Sequence, residues 1–179
     1  MKKFVYIYII ALLFLASCDP SDNNEEELIT DVEYTLSNSK GEIVIMKFSD
    51  KDGDGGQNPV ITVQGKLSFG ATYTGILKLS NESVVPGEDI SAEVKEEDED
   101  HQIFYISNPS MKIEYKDFDS NGKPLGLNTE ITPLQKGSHT LKVILRHVPD
   151  KNASGVSDGK IDNAGGETDV EVSFVLEVI

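Results

Sequence analysis

The stretch DVEVSFVLEV, Asp169 to Val178, decides how the chain is built. Val170, Val172, Phe174, Leu176 and Val178 occupy every second position, with Glu171, Ser173 and Glu177 between them. A period of two puts all five apolar side chains on one face of a strand, whereas a helix would need spacings of three and four. Leu141, Val143 and Leu145 repeat the pattern against Lys142 and Arg146. Two such runs, separated by the Gly- and Asp-rich segment Val148 to Gly166, read as an antiparallel pair.

The same period extends back through the chain. Leu28, Thr30, Val32, Tyr34 and Leu36 share one face, opposite Asp31, Glu33 and Thr35. Asn38-Ser39-Lys40-Gly41 forms a turn, and Glu42 to Phe48 returns as a largely buried strand. Val60 to Phe69 alternates again, with Gly65 on its apolar side marking a bulge or a close approach. Ala71 to Ser80, Ile103 to Ser107 and Met111 to Lys116 complete the set. Only Asp89 to Asp98 suits a helix, with Asp89 as N-cap and Ile90 and Val94 four apart. Many short strands, Gly-rich turns and no βαβ rhythm predict an all-β, two-sheet antiparallel sandwich, immunoglobulin-like or jelly-roll-like, with at most one short helix.

Ahead of the strands stands a leader. Met1-Lys2-Lys3 is positive, and the 11 residues Phe4 to Phe14 are uninterruptedly apolar. A membrane-spanning helix needs roughly 20 such residues, so this length suits a signal-peptide core. Leu15-Ala16-Ser17-Cys18 then matches the lipobox of bacterial lipoproteins, and Cys18 is the chain's only cysteine. Its thiol takes the diacylglycerol thioether before cleavage, so residues 1–17 are expected to be removed. The polar, acidic segment 18–27 (CDPSDNNEEE) reads as a flexible tether, and 28–179 as the sandwich domain. Acids soon after the cysteine resemble the export signal of Bacteroidota surface lipoproteins, which implies an outer-membrane protein facing outward.

The formal net charge is −15, and loss of Lys2 and Lys3 with the leader takes it to −17. Such a surface repels nucleic acid and anionic bilayer faces, and favours cations or basic partners. Two loops have partial calcium spacing. Asp50, Asp52 and Asp54 alternate before Gly55, and Asp117, Asp119 and Asn121 alternate before Gly122. Calcium wants six to eight oxygens and a sharp turn, but both loops lack the acid that a full motif carries at position twelve. Asp, Asn and Gly also suit an ordinary turn, so both readings stand.

The three histidines offer borderline chemistry suited to zinc. His139 and His147 lie eight residues apart on one strand, about 27 Å at 3.4 Å per residue, and cannot share an ion. His147 ends its strand, and Glu167 and Asp169 begin the returning one. Antiparallel pairing would bring these three together, and His101, at the start of another strand, could join them. The catalytic set is empty: no nucleophile elbow, HExxH or Gly-rich phosphate loop is present, and the expectation is a non-enzyme.

The segments DEDHQIFYIS (Asp98 to Ser107), DFDSNGKPLGL (Asp117 to Leu127), LKVILRHVPDK and DNAGGETDVEVSF resemble a family of small Bacteroidota outer-membrane lipoproteins. Members carry only a loose name, the type 1 periplasmic binding fold superfamily. That name implies a doubly wound α/β domain, which this strand pattern does not support. The resemblance implies an accessory lipoprotein beside a TonB-dependent outer-membrane receptor. The residues thus point to metal capture through His101, His147, Glu167 and Asp169. The alternative is a structural or adhesive envelope lipoprotein whose Asp50 and Asp117 loops are stiffened by calcium.

Overall fold

A computed structural model describes residues 27–52, 56–107 and 110–179. The leader, Cys18 and the tether up to residue 26 lie outside the described residues, as does Asp54. The chain forms the expected two-sheet β-sandwich. Six strands make one sheet: β1 (Asp31–Ser37), β2 (Ile43–Ser49), β3 (Val60–Gln64), β4 (Tyr73–Ser80), β6 (Met111–Tyr115) and β7 (Asn128–Pro133). Their order is β3-β2-β1-β4-β7-β6. The second sheet has three strands, β5 (His101–Ser107), β8 (Gly137–His147) and β9 (Glu167–Val178), in the order β5-β8-β9. All strand pairs are antiparallel.

Local chemistry explains the elements. Asn38 closes the β1–β2 turn, its side-chain oxygen accepting from the amides of Lys40 and Glu42 at 3.0 Å each, while Gly41 takes φ +80°. Helix α1 (Ile90–Glu96) starts on Asp89, whose carboxylate accepts from the Ala92 amide, and it buries Ile90 and Val94. The Ser91 hydroxyl oxygen accepts from the Leu79 amide at 2.7 Å and so ties the helix to β4.

The run predicted from Val60 to Phe69 stops at Gln64. Gly65 has φ +91°, and a Cβ there would meet the Ile43 carbonyl oxygen at 2.5 Å. Beyond it the chain crosses to the other sheet, where Leu67 exchanges backbone hydrogen bonds with Glu177 and Ile179. Strand β7 escapes the periodic reading because Ile131 is its only large apolar residue besides Pro133. It sits between β4 and β6, and its inward Thr129 is fully buried against the Tyr34 hydroxyl.

The core lies between the inner faces, from Val32, Tyr34 and Leu36 on β1 to Val172, Phe174 and Leu176 on β9. Tyr34 and Tyr105 meet across it with ring centroids 5.2 Å apart. The three-stranded sheet is covered on its outer face too. The long connection from β8 to β9 folds over it, and Phe104, Ile144, Val156 and Ala164 form a second small cluster. This explains why β5 is buried at five successive positions instead of alternating.

Gly75, on the inner face of β4, leaves room for the Tyr34–Thr129 contact: a Cβ there would stand 2.5 Å from both hydroxyl oxygens. Gly75→Ala is therefore expected to cost about 1–3 kcal/mol through overpacking. The measurement is the shift of the urea unfolding midpoint, with Gly122→Ala, an open turn position with nothing within 4 Å of a Cβ, as the backbone-only comparison.

Candidate metal centre

Strand register builds the centre. In the β5–β8 pair His101 lies directly opposite His147, and in the β8–β9 pair His147 lies opposite Glu167. His101 and His147 share the inward face with Ile103 and Leu145, so both rings are buried and stack with centroids 4.8 Å apart and planes at 20°.

Asp169 enters through a bulge. The β8–β9 register shifts between Leu145 and Arg146, so that Leu145 pairs with Val170 and Arg146 with Thr168, leaving Asp169 as the extra residue. Strict alternation would put Asp169 outside with Glu171. A bulge re-aims a side chain in this way, and the Asp169 side chain is fully buried, with Oδ1 3.9 Å from His147 Nδ1.

The fourth side chain is Glu27, the last acid of the expected tether. The alternation predicted from Leu28 fails at its start. Leu28 is 57% exposed, while Ile29 and Thr30 are both buried. That slip turns Glu27 inward, and its Oε1 lies 2.8 Å from His101 Nε2. Nitrogen and oxygen atoms of Glu27, His101, His147 and Asp169, one from each, all lie within 4.8 Å of one another. This buried group could hold a metal ion.

Hydrogen bonding orients the first histidine. His101 Nδ1 donates to the Glu97 carbonyl at 3.0 Å, just past the end of α1. A carbonyl can only accept, so Nδ1 carries a proton and Nε2 is the atom presented to Glu27. In a neutral ring, Nε2 would aim a lone pair at the carboxylate. Either a proton or a cation must stand between them. Burial opposes charge on both groups, but their mutual hydrogen bond and attraction outweigh it. The Glu27 carboxyl is held below the ordinary carboxylate range and the His101 ring above the ordinary histidine value. At this centre Nδ1 of His147 and Oε2 of Glu27 are buried and have no hydrogen-bond partner among the described residues. Buried polar atoms are rarely left so.

The surroundings are acidic. Burial and the charges of Glu88, Glu27, Glu97 and Asp89 raise the carboxyl of Glu93 on α1, the mark of a field that draws in cations. The backbone beside His147 is also strained. Val148 has φ +49°, costly for a β-branched residue, and its amide donates to the Asp100 carbonyl at 2.6 Å.

The other expected ligands stand elsewhere. Glu167, although opposite His147, is exposed and is replaced in the group by Glu27. In the second loop the oxygens are already taken. Asp117 accepts from the amides of Gly126 and Asn128, and Asp119 Oδ1 from those of Asn121 and Lys123. Asp119 Oδ2 accepts from the Lys151 ammonium at 2.9 Å, and Asn121 is exposed. These carboxylates hold turns. In the first loop Asp52 accepts from the Gln57 amide, and Asp50 forms no metal-sized group with it among the described residues. His139 is half-buried, at the far end of β8, with Nε2 3.0 Å from the Gln135 carbonyl oxygen.

Nothing in the sequence singles out Glu27 from its neighbours Glu25 and Glu26. Only the last acid of the run abuts the first apolar residue of the domain.

The Asp119–Lys151 pair is almost wholly buried, and Lys151 also donates to the Asp98 carbonyl. Asp119→Ala would strand that ammonium and is expected to cost about 3–5 kcal/mol. Burial raises the Asp119 carboxyl, but its bonds to Lys151 and to the Lys123 and Asn121 amides overcome this and hold it below its ordinary value. The pair's contribution is therefore complete above the ordinary Asp value of about 4 and disappears as pH falls through the lower folded value. Acid unfolding curves of the two proteins should converge there.

The chain matches no protein-family model, no curated protein and no solved structure.

Proposed function

We propose that this protein is a lipid-anchored, non-enzymatic binding lipoprotein of the outer membrane, facing outward. On this reading Cys18 carries the lipid, and the domain captures a divalent transition ion, zinc being the best fit, as the accessory of a TonB-dependent receptor. The observation that supports it is the convergence of Glu27, His101, His147 and Asp169.

The donor set decides the class of ion. Two imidazoles and two carboxylates suit zinc and its neighbours, whereas calcium prefers oxygen alone. With both carboxylates ionised and both rings neutral, the set carries two negative charges, which a divalent cation balances. Tetrahedral zinc, with bonds near 2.0–2.1 Å, needs donor atoms about 3.3 Å apart. The 2.8 Å and 3.9 Å separations bracket that value, and all four donor atoms lie within 4.8 Å of one another. The Glu97 carbonyl on His101 is the outer-shell bond that metal-binding histidines use to fix their tautomer.

Calcium-stiffened loops are less well supported, because Asp117 and Asp119 already spend their oxygens on amides and Lys151.

Titration of the purified chain with zinc by calorimetry tests the proposal. His147→Ala should weaken binding at least about 100-fold, since loss even of an outer-shell partner costs roughly 10–100-fold. Glu167→Ala should leave it unchanged. Binding should weaken as pH falls from 7 to 5, because protons compete for the imidazoles. Equal affinity in wild type and His147→Ala would end the proposal.

A further inference from the structure

The four donors differ in how firmly the fold holds them. His101, His147 and Asp169 sit on β5, β8 and β9, strands of one sheet fixed by continuous ladders. Glu27 precedes β1, a strand of the other sheet. The first inter-strand backbone bond of that segment is donated by Thr30, to the Ser80 carbonyl at 3.0 Å. Before Thr30, the segment is held by the burial of Ile29 and the contact of Glu27 with His101, and Leu28 between them faces solvent. Glu27 Oε2 and His147 Nδ1 are buried toward the same centre without a hydrogen-bond partner.

Resting on the metal-binding reading, we infer that Glu27 is a closing ligand: the ion is captured by a three-residue site on the three-stranded sheet and pulls the N-terminal segment shut over it. Capture and docking of the segment are then one coupled event.

Coupling must be reciprocal: the factor by which the ion stabilises the closed segment equals the factor by which closure raises affinity for the ion. The test uses the full chain in detergent, with zinc alone as the probe. Amide exchange at Thr30, whose N–H donates to the Ser80 carbonyl, is followed with and without zinc, beside the zinc affinity of wild type, Glu27→Gln and the exposed-acid comparison Glu167→Gln. Zinc is expected to slow exchange at Thr30 by about tenfold or more, in the usual range of coupling between sites. Glu27→Gln should lose that protection and a matching factor of affinity, while Glu167→Gln keeps both. Cobalt substituted for zinc should show a changed visible spectrum in Glu27→Gln, which separates loss of a ligand from general loosening.

Unchanged zinc affinity in Glu27→Gln, with exchange at Thr30 indifferent to zinc, would overturn the closing role and leave a three-ligand metal site standing. Absence of zinc binding in wild type would remove the metal reading itself, and the closing role with it.

Discussion

The register between β5 and β8 puts His101 directly across from His147, and the rest of the centre depends on that pairing. A shift of one residue would turn one ring to the other face of the sheet, because side chains alternate with a period of two. The register is secured by packing on both sides. Ile103, Tyr105, Val143 and Leu145 face the main core, while Phe104 and Ile144 face the small cluster under the β8–β9 connection. Slippage would expose both apolar sets at once. Two histidines at strand ends are thus held in register by the apolar side chains farther along their own strands.

That connection is more than a cover. It begins at Val148 in a left-handed conformation and ends at Gly165 and Gly166, both with positive φ. The buried Lys151 reaches from it to Asp119 and to the Asp98 carbonyl, tying it to the β6–β7 loop and to the chain just before His101. The Gln102 side chain donates to the Val156 carbonyl from the other side. A candidate calcium loop and the metal centre are thereby joined mechanically: the Asp119 carboxylate acts by gripping the lysine that braces the segment between His147 and Asp169.

The centre departs from regular β structure twice, and both departures add a carboxylate. At the start of β9 the bulge turns Asp169 inward, and before β1 the slipped alternation does the same for Glu27. Placing carboxylates beside imidazoles in a dry interior is costly unless charge is balanced. The mutual hold of Glu27 and His101, which keeps one ionised and favours the charged form of the other, is one such balance. A divalent cation between them would be a fuller one.

The period of two in segments such as Asp169 to Val178 was enough, by itself, to establish strands, antiparallel pairing and a two-layer sandwich, because burial of one face is a local consequence of alternation. It also placed His101, His147 and Asp169 at adjoining strand ends, although the inward turn of Asp169 came from the bulge. β7 was illegible because Thr129 packs where an apolar residue would have announced a strand. The choice of Glu27 over Glu167 was illegible for a different reason. Glu167 is opposite His147 in sequence logic, yet the side of the sheet on which a carboxylate emerges depends on a bulge and a slipped terminus, and these are set by how the two sheets close on each other. The calcium spacing of Asp117, Asp119 and Asn121 looked the same as that of a turn until the fold showed which amides and which lysine the oxygens meet. Local periodicity carries the fold, whereas the ligand set is a tertiary property, because it joins chain segments whose meeting no local pattern records.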